Sequence, residues 1–397
     1  MKLKEYLKVY NLTSKEFAKK LGISVVTISR YMSGERFPSK DILKKISKNT
    51  EEVVTADDFK NLDREKVLDV EDINEIEKLA QQIKNGSRRD LAKAITMVES
   101  FLYEDKQKTE ELISRFKEKK NSLRIGITGV PGVGKSTFIE ALGLYLIHLG
   151  MKVAVIAVDP SSQVSGGSIM GDKTRMEKLS INENAFVRPS PNSGHLGGVS
   201  RKTRESIMCF EYADYDVIFV ETMGVGQAET SVYNMVDIFL VLLLPSGGDD
   251  LQGIKKGIIE LADLLIINKS DTMLKEAAEN TLIDYRNALS IIQSVREDVD
   301  PCVLKCSALN KEGIKEIWHQ IKIFERKRKK TKSFHNNRIS QNNNWLWELL
   351  YQNVNDYIEN EIKDKKLSIE IKKKMNVKKL NVVKAANLLL TSFIKKI

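Results

Sequence analysis

Gly129-Val130-Pro131-Gly132-Val133-Gly134-Lys135-Ser136 has the residue types and spacing to hold a chain of phosphates. Glycines let successive backbone N–H groups turn toward one anion, and a helix that follows aims its N-terminus at the same point. In this pattern Lys135 reaches the β- and γ-phosphate oxygens, Ser136 ligates magnesium, and Thr137 continues the cradle. An apolar run from Leu123 precedes the loop and an apolar helix through Leu146 follows it, so the strand–loop–helix context is present.

Asn268-Lys269-Ser270-Asp271 closes a later apolar run. The Asp271 carboxylate can accept from the N1–H and the 2-amino group of guanine. Adenine offers neither donor, and each charged hydrogen bond forgone costs about 1.5–3 kcal/mol. Ser307-Ala308, after the last apolar run, fits the backbone support for the base. The expected ligand is GTP or GDP.

Val217–Glu221 is an apolar strand that ends in an acid, the place for a carboxylate near the metal. Gly224, Gly226 and Gln227 follow in a loop suited to sense a γ-phosphate. Asp159 and Asp172 are further acids at strand ends or loops; either can hold magnesium through water or orient the attacking water, and either can simply cap a turn. Arg175 can neutralise transition-state charge, or be a surface arginine. The catalytic candidates are therefore Lys135, Asp159, Glu221 and Arg175, with water positioning left between Asp159 and Glu221. The metal candidates are Ser136, Asp159, Asp172 and Glu221.

These groups need a scaffold that brings strand ends together. Short apolar runs, Leu123–Gly129, Val153–Asp159, Val217–Glu221, Ile238–Leu244, Leu264–Asn268 and Val303–Ser307, alternate with helical stretches. That alternation predicts a doubly wound, mostly parallel α/β sheet over residues 121–326. Before it, residues 61–120 read as a linker and helical preface, with apolar faces at Ile73, Ile76, Leu79, Ile83 and at Leu91, Ile95, Val98, broken by Gly86. After it, residues 327–397 read as a helical tail. Arg326–Lys332 reads as a solvated basic hinge, Trp345 and Trp347 as core or dimer residues, and Ile369–Ile397 as one helix packing Ala385, Leu388 and Leu389.

Residues 1–60 carry a different pattern. Thr13-Ser14-Lys15-Glu16 is a capping box, Gly22 permits a tight turn, and Ser24 can cap a second helix bearing Val25, Ile28 and Met32. Helix, tight turn, helix at this spacing predicts a helix-turn-helix.

The chain has 397 residues, is 42% hydrophobic and carries a formal net charge of +10. The size allows two or three domains. The basic balance suits an acidic partner, although Lys, Ile and Asn are abundant throughout. Three cysteines without zinc-ligand spacing fit a reduced, cytoplasmic setting. The longest apolar run, Val236–Pro245, is half of a membrane span and contains Asp237, so no membrane association is expected. No His-rich or Cys-x-x-Cys tract points to a nickel metallochaperone.

Several longer segments together resemble one family, the methylmalonyl-CoA mutase-associated GTPases MeaB/ArgK. They are Val158–Ser162, Gly166–Met176, Arg188-Pro189-Ser190, Leu196-Gly197-Gly198, Glu221–Gln227, Asp249–Gly257, Arg338, Trp345–Trp347 and Ala385-Ala386. The resemblance runs from about Ile73 to Leu390. It implies slow GTP hydrolysis with magnesium and a role as chaperone for an adenosylcobalamin-dependent acyl-CoA mutase. It also implies a first switch at Gly224–Gln227, a second at Asp249, Asp250, Gln252, Lys255 and Lys256 that answers to the mutase, and a homodimer formed through the tail. The family does not normally begin with a helix-turn-helix. Lys4–Phe59 resembles the Cro/repressor-like (XRE) DNA-binding domain, and that resemblance places Ser14, Lys15, Val25, Val26, Thr27, Ser29 and Arg30 toward DNA. An alternative function follows from this domain order: a transcriptional regulator that uses the GTPase as its sensor.

Overall fold

A computed structural model describes residues 3–10, 12–32, 38–55, 58–59, 68–100, 102–117, 121–158, 176–190, 196–222, 228–245, 256–271, 274–291, 300–362, 366–377 and 380–394. They cluster into two units, Met1–Ser122 with Glu205–Asp216, and Leu123–Arg204 with Val217–Ile397.

The first unit begins with α1 (Leu3–Val9), α2 (Ser14–Leu21), α3 (Val25–Met32) and α4 (Lys40–Asn49). The capping box forms: the Glu16 N–H donates to Thr13 Oγ1 at 3.2 Å, and the Thr13 N–H donates to Glu16 Oε2 at 2.9 Å. Gly22 ends α2 at φ 71°, a left-handed conformation that costs glycine nothing. Ser24 Oγ accepts from the Thr27 N–H at 3.1 Å and so starts α3. Phe17, Ala18, Leu21, Ile28, Tyr31 and Ile46 close a small core between these helices. The helix-turn-helix expected from spacing is present. Next come α5 (Val70–Lys84), α6 (Arg88–Glu99) and α7 (Tyr103–Ser114), packed on one another. Their buried faces are Ile76, Leu79 and Ile83 on α5 and Leu91, Ile95 and Val98 on α6.

The second unit is built on a seven-stranded sheet. In chain order its elements are β1 (Leu123–Gly129), α8 (Lys135–His148), β2 (Val153–Val158), α9 (Glu177–Ser180), β3 (Ala185–Ser190), α10 (Leu196–Tyr212), β4 (Val217–Thr222), α11 (Ala228–Tyr233), β5 (Ile238–Leu243), α12 (Lys256–Leu261), β6 (Leu264–Ile267), α13 (Lys275–Ile291), β7 (Cys302–Lys305) and α14 (Ile314–Lys330). The last residues of α10 cluster with the first unit. The strand order is β3-β2-β4-β1-β5-β6-β7, and every neighbouring pair is parallel. Ile125 and Ile127 face a core shared with Phe138 and Leu142 of α8 and with Ile317 and Ile321 of α14. Gly126 faces the other way, where a Cβ would come within 2.7 Å of Phe239 and 3.0 Å of Val232 of α11. Helices thus cover both faces, as a parallel sheet requires. Among the described residues no helix is long and apolar enough to cross a membrane.

The tail continues as α15 (Ser333–Ile362), α16 (Lys366–Asn376) and α17 (Val382–Ile394). Two expectations are corrected here. The solvated basic hinge over Arg326–Lys332 fails, because α14 runs unbroken to Lys330 and Arg328 is only 3% exposed. Arg328 Nη2 donates to Asp263 Oδ1 at 2.5 Å, and its Nη1 reaches the Asp237 carbonyl. The single helix expected over Ile369–Ile397 is two, because the Asn381 side chain accepts the Lys384 N–H at 2.8 Å and caps a new start; Leu388 lies exposed while Ala385 is buried. Trp347, 56% exposed and beside Tyr351, keeps only the dimer half of its core-or-dimer expectation.

Asp237, at the foot of β5, ties the tail to the sheet. It accepts from the Arg124 N–H and, in a forked pair, from Arg338 Nε and Nη2, each at 2.8 Å. Burial pushes its carboxyl up, but the Arg338 charge and hydrogen bonds, with Arg124, outweigh burial and hold it below the usual carboxylate range. The folded pKa thus lies below the unfolded value of about 3.9. Its contribution is complete above that value and is lost as pH falls through the folded pKa. Arg338→Ala would leave the buried carboxylate without its fork, at a cost of about 3–5 kcal/mol. In chemical denaturation at pH 7 the variant should lose stability of that order, and in acid titration it should unfold at a higher pH than the parent. Coincident acid transitions would show that the fork is not what holds Asp237 ionised.

Candidate functional site

The phosphate loop leaves the carboxyl end of β1, the central strand, and enters α8. This is the crevice at which parallel α/β sheets bind ligands. The backbone needs its glycines. Gly129, Gly132 and Gly134 have φ of 151°, 80° and 94°. A Cβ on Gly129 would lie 2.5 Å from the Leu242 carbonyl, and one on Gly134 would lie 2.6 Å from Asn268 Nδ2. Lys135 is 9% exposed, and its ammonium donates to the Gly129 carbonyl at 2.7 Å and the Val130 carbonyl at 3.3 Å. The lysine folds back over its own loop, in reach of whatever the loop encloses. Pro131 and Thr137 lie on either side of that cradle, on the loop and the first turn of α8.

Ser136 Oγ donates to Glu221 Oε1 at 3.2 Å, which brings the first residues of α8 against the end of β4. Beneath them Thr222 donates its hydroxyl to Thr128 at 2.7 Å, joining β4 and β1 at the same level. A hydroxyl beside a carboxylate is a hard-oxygen donor pair, the kind magnesium takes. Asp159, Asp172 and Arg175 lie outside the described residues, as do Gly224, Gly226, Gln227, Asp249, Asp250, Gln252 and Lys255; of Lys256 only the backbone, at the start of α12, is described.

The second half of the site is held by Asn268. Its Nδ2 donates to the Val133 carbonyl of the phosphate loop at 2.9 Å. Its Oδ1 accepts the Ala308 N–H at 3.0 Å and the Cys306 thiol at 3.4 Å. One buried amide therefore joins the phosphate loop, the end of β6 and the segment after β7. Lys269 follows at φ 60°, and the Ser270 N–H donates to the Cys306 carbonyl at 3.1 Å, which turns the chain so that Asp271 stands half-exposed at the rim. Ser307 is buried in a two-way bridge with Glu312, and Ser307 Oγ accepts the Asn310 N–H at 3.2 Å. Burial, followed by the Asp271 charge, pushes the Cys306 thiol up to about 12, so it stays a protonated donor at neutral pH.

Sequence reasoning placed the two nucleotide motifs but not the groups that join them. Nothing in the spacing of Asn268, Cys306 and Val133 announces that one amide serves all three, and the Thr128–Thr222 bond is equally silent. Their signal is geometric alone.

The helix-turn-helix presents a second candidate surface. On α3, Val25, Val26, Ser29 and Arg30 are exposed, while Ile28 and Tyr31 face the core. Lys15 is exposed on α2 and Ser14 half-buried at its start. The Thr27 hydroxyl lies 2.8 Å from Ser24 Oγ, so it serves the helix cap.

Comparison with known proteins agrees with both halves. Residues 91–363 match the family described as methylmalonyl Co-A mutase-associated GTPase MeaB, and residues 3–51 match a helix-turn-helix family. The GTPase ArgK of Escherichia coli is 51% identical over 246 residues, covering 62% of this chain and 74% of that protein. The mouse protein named methylmalonic aciduria type A homolog, mitochondrial, is 41% identical over 329 residues, covering 80% of this chain and 79% of its own. A crystal structure described as LAO/AO transport system kinase superposes with a TM-score of 0.63 at 34% identity, over 83% of this chain and 100% of that one. With a P-loop sheet, a guanine-type motif joined to it and matches of this length, the chain belongs to the methylmalonyl-CoA mutase-associated GTPase family, MeaB.

Proposed function

We propose that this GTPase serves an adenosylcobalamin-dependent acyl-CoA mutase as a nucleotide-dependent chaperone. The observation that carries the reading is the family match over residues 91–363, which includes the phosphate loop. In the nucleotide site the backbone N–H groups of Gly132, Val133 and Gly134 and the N-terminus of α8 hold the phosphates, with Val130 and Pro131 shaping the loop. Lys135 exchanges its bonds to Gly129 and Val130 for phosphate oxygens. Asp271 selects guanine, Lys269 lies along the base, and Ser307-Ala308 closes over it. The hydroxyl of Ser136 and the carboxylate of Glu221 suit magnesium, with Asp159 and Asp172 as further candidates. When bound, magnesium would supply positive charge to offset the negative charge that develops on the phosphates. Arg175 is assigned to transition-state charge, and Asp159 or Glu221 to the attacking water. Gly224–Gln227 and Asp249–Lys256 are the segments assigned to sense the γ-phosphate and report it to the mutase. The exposed Leu346, Trp347, Leu350 and Tyr351 of α15 suit a homodimer arm.

The test is a pull-down from the source cell lysate with the full chain loaded with GDP or a non-hydrolysable GTP analogue. An acyl-CoA mutase should be recovered, with a yield that changes with the nucleotide. Absence of any mutase in both states would refute the chaperone reading.

A second reading rests on the helix-turn-helix match over residues 3–51 and its exposed α3. In it the N-terminal domain binds duplex DNA through Ser14, Lys15, Val25, Val26, Thr27, Ser29 and Arg30. Nucleotide state can alter that binding only if the two states differ in their contacts at the DNA module. The same pull-down, scored for bound DNA, addresses it.

A further inference from the structure

The outward face of α3 carries two valines that the fold does not use. Residues 25, 26, 29 and 30 fall on one side of the helix at spacings of one, four and five; Ile28 and Tyr31 take the core side. Val25 is 42% exposed and Val26 61% exposed, both in the first turn. β-branched residues add nothing to a short helix by propensity, and neither valine belongs to the buried core of the domain. The polar residues next to them are engaged locally. Ser24 and Thr27 are hydrogen-bonded to each other, and the Thr27 N–H bonds Ser24 Oγ. At the start of α2 the Glu16 carboxylate occupies the cap of Thr13. What the first turn of α3 offers outward is therefore methyl groups. The same helix pair carries exposed cations, Lys15, Lys19 and Lys20 on α2 and Arg30 on α3 itself.

In a helix-turn-helix the N-terminal residues of the second helix meet base edges in the major groove. Every major-groove feature except one is a hydrogen-bonding group. The exception is the C5-methyl of thymine. A valine facing a donor or acceptor leaves that group unpaired, whereas a valine facing a thymine methyl buries both. We propose that Val25 and Val26 read thymine methyl groups, so that the domain selects duplex DNA with thymines in the major-groove positions under the first turn of α3. The cations supply phosphate affinity common to all sequences, and the valine pair supplies the choice among them. This rests on the reading of residues 3–51 as a DNA-binding domain.

The experiment separates the two. The full-length protein is used to select duplexes from a randomised pool at low salt, and the enriched duplex is then remade with deoxyuridine in place of each thymine in turn. Removing one contacted methyl should weaken binding about four-fold, equivalent to about 0.8 kcal/mol for one buried carbon, and 5-methylcytosine at the same place should recover part of the loss over cytosine. The double variant Val25→Ser, Val26→Ser should bind thymine and deoxyuridine duplexes equally while keeping the salt dependence that phosphate contacts give. Both positions are exposed, so the variant should keep the helical signal and melting temperature of the parent. Enrichment of a sequence that binds equally well with deoxyuridine would overturn the methyl readout and leave DNA binding standing. No enrichment, with no duplex retained at any salt, would overturn both and point to a protein partner for this face.

Discussion

Lys135→Ala should lower GTP turnover by at least about 100-fold and weaken guanine nucleotide binding. Loss of one preorganised donor at a charged transition state costs about 10²–10³ in rate, or roughly 2.7–4 kcal/mol. Lys135 should lie at or beyond that range because it does two things. Its ammonium is the full positive charge positioned to reach the phosphate loop's cargo, and it also bonds the Gly129 and Val130 carbonyls of the loop itself. Alanine removes the charge and lets the loop carbonyls turn back toward the anion. Arginine should not rescue it, since a forked guanidinium cannot take the place of a compact ammonium. Phosphate release at saturating GTP and titration with a fluorescent GDP analogue read the two losses separately. A thermal melt controls for folding. Turnover equal to the parent would remove the phosphate loop from the site.

The parts of this site that could be read in advance are those with a local cause. The six predicted strands each recur within about a residue or two, and the five that lie inside the sheet were legible because a strand buried on both faces must be apolar along its whole length. The phosphate loop was legible because it needs three glycines at fixed offsets. The capping box of α2 was legible because its two partners are three residues apart. What escaped is long-range or lacks a period. β3 carries Arg188-Pro189-Ser190, and a proline argues against a central strand; it is tolerated here because β3 lies at the edge, paired only with β2. Arg328 sat in a run of basic residues with no apolar rhythm, and its partner Asp263 is 65 residues away. Asn268 looked like one letter of a base-selecting motif, yet its side chain joins the phosphate loop to the segment after β7, and the proposed reading gives discrimination of the base to Asp271.

That division of labour gives the second large effect. Asp271→Asn should exchange guanine preference for xanthine preference. The parent carboxylate is acceptor-only and suits two donors, N1–H and the 2-amino group. Asparagine keeps one acceptor, which can still take N1–H, but it turns an amide donor toward the 2-amino group, donor against donor. Two charged hydrogen bonds at about 1.5–3 kcal/mol each are replaced by one neutral bond and a clash, so GTP affinity should fall by about 100-fold or more. Xanthine has a 2-oxo group where guanine has its amine, and the same amide then donates to it. The substitution should not disturb the scaffold, since the turn around residue 271 is set by backbone bonds, Ser270 N–H to the Cys306 carbonyl and Leu274 N–H to the Asp271 carbonyl, which the new side chain leaves in place. Competition of GTP, xanthosine triphosphate and ATP against one fluorescent nucleotide, in parent and variant, reads the exchange directly. The variant should also turn over xanthosine triphosphate at a rate near that of the parent with GTP, because Lys135, Ser136 and Glu221 are untouched. If the variant keeps its GTP affinity, Asp271 does not contact the base and selection lies elsewhere in the loop; if it loses GTP without gaining the xanthine nucleotide, the damage is to the loop that Asn268 holds rather than to the pairing edge.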